Sequence, residues 1–116
     1  MNARKFFKSF RYAVQGILTA TKEQNLRFHI LSAVIVVLAG FLTGLSITEW
    51  LILTLVIALV IGAELFNSAI ERVVDLASPE IHPLAKQAKD MAAGAVLVFA
   101  VASVIIGLLI FLPRWF

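Results

Sequence analysis

Three long apolar stretches divide this chain, and they restrict its possible folds more than any other feature. They cover residues 28–45, 50–74 and 91–112, and each is close to the ~17–25 residues that cross a bilayer as a helix. The first and third lack the polar face that a helix in a water-soluble bundle needs. Because 61% of the residues are hydrophobic and only 15% are charged, the sequence predicts an all-α integral membrane protein. We expect one domain over residues 1–116, with transmembrane helices over residues 28–45, 50–77 and 91–112.

The segment before the first span mixes charged and apolar residues. From residue 6 to residue 18, apolar side chains recur at three- and four-residue spacing, with basic side chains towards the other side. This pattern predicts an amphipathic surface helix over residues 3–21, lying in the membrane interface. Residues 22–27 are expected to be a polar connector or continued helix. The apolar positions are Phe6, Phe10, Val14, Ile17 and Leu18, and the basic positions are Arg4, Lys8 and Arg11.

The connections between the predicted spans are short. Ser46 or Thr48 is a suitable cap for the second span, and Glu49 suits its first turn. Ser78-Pro79 should end that span, and a polar loop is expected over residues 80–89. Pro113 is expected to end the third span.

Basic residues are distributed unevenly around these spans. Six lysine and arginine residues precede the first span, and Arg72, Lys86 and Lys89 flank the second loop, whereas residues 46–48 contain none. Because basic flanks tend to stay in the cytoplasm, we expect the N-terminus and the second loop there. Beside a membrane span, a basic N-terminal segment favours contact with anionic lipid, so no nucleic-acid partner is expected.

Polar side chains form a stripe along the second predicted span. Glu64, Asn67, Ser68, Glu71 and Asp75 fall within about 100° of one another around a helix. We call these five residues the polar stripe. Charged side chains are costly inside a membrane, so they normally face a protein interior or an aqueous cavity.

Three hypotheses account for the polar stripe. It is a structural seam between helices, a proton or cation pathway of a channel, or part of a lipid-phosphorylating enzyme. Phosphoryl transfer needs metal ligands, a cation for phosphate and a group that orients the attacking hydroxyl. The nearby Lys86, Lys89 and Asp90 favour the enzyme, but the residues alone leave the three hypotheses open.

Motifs of several other enzyme classes are absent. The sequence has no P-loop motif and no protein-kinase motif set. It has no cysteine, which excludes thiolate metal sites and disulfides. His29 and His82 do not form a convincing zinc site.

Several segments together resemble the prokaryotic diacylglycerol kinase/undecaprenol kinase family. They are Glu64-Leu-Phe-Asn-Ser-Ala-Ile-Glu71, Val73-Val74-Asp75, Glu80-Ile-His82, Ala88-Lys-Asp-Met91, Tyr12, Gly16 and the region from Glu23 to Arg27. The resemblance covers nearly the whole chain in the same order. It implies a homotrimer in the bacterial inner membrane, with active sites shared between neighbouring chains, that uses ATP and Mg²⁺ to phosphorylate a membrane lipid.

The resemblance also implies roles for individual residues. Glu64 matches the catalytic acid that acts as base toward the lipid hydroxyl, and Glu23 and Glu71 match magnesium ligands. Lys5 and Lys8 are further candidates for phosphate contacts. The positions that match the surroundings of the nucleotide are Tyr12, Glu23, Asn67, Glu71, Glu80, His82, Lys89 and Asp90.

The identity of the lipid depends on the region around His29. The segment Asn25-Leu-Arg-Phe-His29, with His82-Pro83-Leu84, is more similar to the undecaprenol-kinase branch. The diacylglycerol-kinase branch carries an acidic residue at the position of His29. The resemblance therefore favours undecaprenol as the substrate, with diacylglycerol as the alternative.

Overall fold

The computed structural model describes residues 2–116, and this part of the chain consists of four α-helices without strands. They are α1 (Ala3–Ala20), α2 (Gln24–Thr43), α3 (Ile47–Ala77) and α4 (Pro83–Trp115). The last three helices are long and apolar enough to cross a membrane. The prediction of an all-α protein with an N-terminal amphipathic helix and three candidate spans is confirmed.

Helix α3 is the central helix of the protein. It packs along α4 and α2 and also contacts α1. Of its most apolar stretch, 33% is buried, compared with 11% for α2 and 17% for α4. The polar stripe therefore lies on the helix that is best shielded from the surroundings.

The hairpin between α2 and α3 follows the predicted capping chemistry. Ser46 caps α3 by accepting a hydrogen bond from the Glu49 backbone, and the Glu49 side chain accepts one from the Ser46 backbone at 3.0 Å. Gly44 ends α2 with a φ of 79°, a left-handed conformation that glycine adopts without strain. Helix α2 begins at Gln24, earlier than the predicted residue 28, because polar residues extend a helix beyond its apolar part.

The predicted loop over residues 80–89 is wrong, because α4 already begins at Pro83. The His82 side chain caps this helix by accepting a hydrogen bond from the Leu84 backbone at 3.1 Å. Proline suits the first helical position, where its missing N–H would have no partner. As a result, Lys86, Lys89 and Asp90 lie on the first turns of α4 and the loop comprises only residues 78–82.

The predicted end of α4 at Pro113 is also wrong, because the helix continues to Trp115. Proline removes a single donor from this last turn, and the Phe116 N–H still donates to the Leu112 carbonyl at 3.0 Å. The continuation carries Arg114 to Glu49, with which it pairs, and to the Gly44 carbonyl at 3.2 Å. We call Arg114, Glu49 and Gly44 the C-terminal clasp.

Candidate functional site

Three residues of the polar stripe form the buried polar part of the site. Glu64, Asn67 and Ser68 are 2%, 5% and 2% exposed, and they are the buried polar or charged residues of the part of the chain that the structure describes. Their spacing places them within about one turn of α3. Burial of a carboxylate among apolar helices is unfavourable unless polar groups surround it, so their neighbours indicate what each side chain can do.

Glu64 lies at the deep end of the polar stripe, against α2. It contacts His29, whose Nε2 is 3.8 Å from Glu64 Oε2. The two side chains are 3% and 15% exposed. Sequence reasoning considered His29 for a zinc site and for distinguishing lipid substrates, and it missed this contact, although both residues were expected inside spans. The geometry provides a shielded carboxylate that can accept a hydrogen bond from a hydroxyl.

Glu23 is held at the start of α2 by two residues of α3. Ser68 Oγ donates to one carboxylate oxygen, and Arg72 Nη1 donates to the other at 2.7 Å. The hydrogen bond from Ser68 is the main cause that lowers the pKa of Glu23; partial burial opposes it, and Arg72 lowers the pKa further. Glu23 is therefore an ionised carboxylate at neutral pH. Its contacts with Ser68 and Arg72 hold it beside the part of α3 that follows Glu64 towards the loop.

Glu71 and Asn67 form a second pair one helical turn apart. Asn67 Nδ2 donates to Glu71 Oε1 at 3.3 Å, while the buried Asn67 Oδ1 has no hydrogen-bond partner within residues 2–116. Such an unpaired buried acceptor is rare and indicates a missing partner. Glu71 and Asn67 thus offer neighbouring oxygen atoms near the Ser68–Arg72 segment that contacts Glu23.

The donor atoms suit a magnesium ion that is also bound by substrate phosphates and water. They do not form a complete metal site made by the protein alone. Among residues 2–116, no group of three or more His, Cys, Asp and Glu side chains converges as a metal site. Magnesium is commonly bound by one or two carboxylates, with substrate phosphates and waters completing its shell. The Glu23 and Glu71 carboxylates and the unpaired Asn67 Oδ1 are all hard oxygen donors, and they suit such a partial site.

A second part of the site lies where α3, the loop and α4 meet. A cleft of about 340 Å³ is lined there by Asp75 and by four residues predicted to surround the nucleotide. Lys89 pairs with Asp75, and Lys86 Nζ lies 2.6 Å from Asp90 Oδ2. The four residues that the cleft brings together are Glu80, His82, Lys89 and Asp90.

Tyr12 is not brought to either part of the site. It lies on α1, its side chain is largely exposed, and its hydroxyl forms no hydrogen bond within residues 2–116. Lys5 and Lys8 are exposed on the same helix. The predicted nucleotide residues of one chain therefore fall into three groups: Tyr12 on α1, the polar group of Glu23, Asn67 and Glu71, and the four residues of the cleft between α3 and α4.

Comparisons with known proteins find one matching family and several similar proteins. The family described as prokaryotic diacylglycerol kinase matches residues 11–111. The chain is 57% identical over 111 residues to the undecaprenol kinase of Bacillus subtilis, covering 95% of this chain and 90% of that protein. It is 45% identical over 107 residues to a diacylglycerol kinase of Synechocystis, covering 90% of this chain and 61% of that protein. A diacylglycerol kinase of Helicobacter pylori is 40% identical over 97 residues, which cover 82% of this chain and 75% of that protein.

Proposed function

The chain belongs to the prokaryotic diacylglycerol kinase family and is a multi-pass membrane lipid kinase, and from this premise we propose that it uses ATP and Mg²⁺ to phosphorylate undecaprenol. Family membership decides for an enzyme over a channel or a structural subunit. Undecaprenol is favoured by the 57% identity to the Bacillus subtilis undecaprenol kinase. His29, which contacts the deep end of the polar stripe, also matches that branch.

The main observation behind the proposal is that Glu64 lies deep on a helix whose other carboxylates could bind a metal ion. Glu64 is buried within a membrane helix, and Glu71 lies seven residues nearer the polar loop, about 10 Å along the helix axis. A membrane lipid presents its hydroxyl at the boundary of the bilayer, and a nucleotide approaches from water. The spacing allows α3 to contact the lipid hydroxyl through Glu64 and the nucleotide near Glu71.

Glu64 orients the lipid hydroxyl by accepting its hydrogen bond, and takes its proton as the hydroxyl oxygen bonds to the γ-phosphorus of ATP and the bond from that phosphorus to ADP breaks. The carboxylate need not fully deprotonate the alcohol first, because the transition state of phosphoryl transfer is loose. His29, 3.8 Å away, limits the positions available to the Glu64 side chain. Exclusion of water by the surrounding apolar helices protects the transferred group from hydrolysis.

The carboxylate oxygens of Glu23 and Glu71 and the unpaired Asn67 Oδ1 would bind magnesium, and the nucleotide phosphates would complete its ligands. When bound, the ion neutralises charge on the phosphates. Lys89 supplies a positive charge in the cleft at the start of α4, where Glu80, His82 and Asp90 would contact the rest of the nucleotide. Within one chain, Lys89 is paired with Asp75. A bound phosphate would therefore contact Lys89 beside Asp75 or in its place.

We also infer that the active protein is a homotrimer in the bacterial inner membrane, with the N-terminus and the second loop in the cytoplasm. The uneven distribution of lysine and arginine supports this orientation. The exposed position of Tyr12 on α1 supports sharing of sites, because α1 of a neighbouring chain would then supply the aromatic ring. The exposed apolar surface of α1 to α4 is available to lipid and to neighbouring chains.

The substrate assignment is tested with purified protein in one membrane mimic. Undecaprenol and diacylglycerol are presented at matched surface concentration, and kcat/KM is measured for each with ATP and magnesium, since this ratio measures discrimination. We expect the higher value for undecaprenol, and altered discrimination for His29→Glu. A clear preference of the wild type for diacylglycerol would overturn the lipid assignment and leave the lipid kinase intact.

A further inference from the structure

Arg72 makes a contact that the proposed function does not use. It directly follows Glu71 on α3, and its guanidinium lies 2.7 Å from Glu23 Oε1 and 3.2 Å from the Ser68 carbonyl. With Ser68 Oγ bound to the other oxygen, both carboxylate oxygens of Glu23 are occupied. A proposed metal ligand is therefore already neutralised by a cation of the same chain.

A guanidinium and a divalent metal ion would compete for Glu23 Oε1, because both are cations attracted to the same carboxylate oxygen. The two cations repel each other, and magnesium requires direct access to its oxygen ligands at about 2.1 Å. We propose that Arg72 is a displaceable counter-ion, which occupies Glu23 in the metal-free enzyme and leaves it when the metal ion binds. This inference rests on the proposed function, because it takes Glu23 as a metal ligand.

The surroundings of the pair favour displacement. The Arg72 and Glu23 side chains are 53% and 28% exposed, and exposed ion pairs are weak enough for a bound divalent ion to replace. Arg72 also lines an open cleft of about 510 Å³ between α1 and α3, which leaves room for its side chain to move away. Ser68 is buried and holds the second oxygen, so Glu23 keeps its position when Arg72 leaves.

Displacement predicts that Arg72 competes with the metal ion. Purified wild-type and Arg72→Gln proteins are titrated with Mn²⁺ alone, and free Mn²⁺ is followed by electron paramagnetic resonance. Because removal of the competing cation frees Glu23, we expect Arg72→Gln to bind Mn²⁺ about fivefold more tightly, the change that corresponds to about 1 kcal/mol. Arg72→Lys should retain most of the competition.

Two further variants make the result specific. Arg11→Gln removes an exposed arginine of α1 and controls for the change in net charge, so its Mn²⁺ affinity should stay near that of the wild type. In a Glu23→Gln background, Arg72→Gln should no longer tighten binding, because the shared carboxylate is gone.

The outcomes separate this inference from the proposed function. Equal or weaker Mn²⁺ binding by Arg72→Gln, including no binding by either protein, would overturn the displacement. Equal Mn²⁺ binding by Glu23→Gln and the wild type would instead overturn the assignment of Glu23 as a metal ligand. Tighter binding by both Arg72→Gln and Arg11→Gln would attribute the effect to net charge and overturn a specific role for Arg72.

Discussion

The chemistry of the site depends on carboxylates placed at different depths along one helix. Glu64 is 2% exposed and contacts His29, whereas Glu71 is partly exposed and contacts Asn67. Glu23, from the start of α2, joins the shallower group through Ser68 and Arg72. Deep and shallow carboxylates thus have different partners, and the same conservative substitution should have different kinetic effects at each.

Glu64→Gln is expected to lower kcat at least about 100-fold and to leave the fold intact. The substitution keeps the shape of the side chain but removes the group that accepts the hydroxyl proton. The measurement is the rate of phosphate transfer into lipid, with circular dichroism and size-exclusion chromatography as checks of folding. Glu49→Gln, the same substitution at the far end of α3, is the matched control and should keep most of the activity. Near-normal turnover by folded Glu64→Gln protein contradicts the assigned role.

Glu23→Gln and Glu71→Gln should raise the magnesium concentration needed for half-maximal rate. Each removes one charged oxygen ligand, so excess magnesium should restore part of the activity. Asp75→Asn is the comparison, because Asp75 lies on the same helix but pairs with Lys89. This concentration is obtained from initial rates measured over a range of magnesium concentrations at saturating ATP. Unchanged magnesium dependence in both glutamate variants argues against metal binding there.

At the scale of the elements, local sequence patterns predicted more than long-range contacts. The apolar lengths predicted three spans, and the helical spacing of Glu64 to Asp75 predicted a shared face, because both are properties of one continuous segment. The start of α4 was missed because capping by His82 and Pro83 outweighs the polarity of the turns that follow. The polarity of a segment does not distinguish a loop from the exposed first turns of a helix.

The contacts between elements could not be predicted in the same way. Ser68 and Arg72 contact Glu23 across 45 and 49 residues of sequence, and no spacing rule relates positions that far apart. The contact between His29 and Glu64 likewise depends on how α2 packs against α3. The roles of Glu23, Glu71, Asn67 and the nucleotide residues stay predictions from family resemblance.

The C-terminal clasp should stabilise the bundle without taking part in catalysis. Arg114→Gln removes its ion pair with Glu49 and its hydrogen bond to the Gly44 carbonyl, which join the end of α4 to the hairpin between α2 and α3. We expect the apparent melting temperature in detergent to fall by a few degrees while KM for ATP is unchanged. Arg4→Gln, an exposed change on α1, is the control. A higher KM for ATP with an unchanged melting temperature would contradict this role.

At the scale of the whole molecule, the position of Tyr12 bears on how many chains make one site. It is 65% exposed on α1, and α1 contacts the rest of its own chain mainly through α3. The other predicted nucleotide residues lie on α3, α4 and the loop between them or, for Glu23, at the start of α2. A homotrimer would allow α1 of one chain to complete the site of another.

Sharing of sites predicts that two impaired variants regain activity when they are combined in one assembly. Tyr12→Ala and Glu64→Gln are produced separately and together, with different affinity tags so that mixed assemblies can be isolated. If Tyr12 and Glu64 of one site come from different chains, some sites in the mixed assembly contain both native residues. We expect its activity to exceed that of either parent. Mixed assemblies no more active than their parents would place both residues of a site in the same chain.

The most direct test of the central claim is the transfer of labelled phosphate from ATP to lipid by the purified wild-type protein. The protein is reconstituted with undecaprenol, supplied with γ-labelled ATP, and the lipid product is separated from nucleotide. We expect the label in undecaprenyl phosphate when magnesium is present, and its loss when magnesium is chelated. No labelled lipid from correctly folded protein, with either undecaprenol or diacylglycerol as acceptor, would contradict the account.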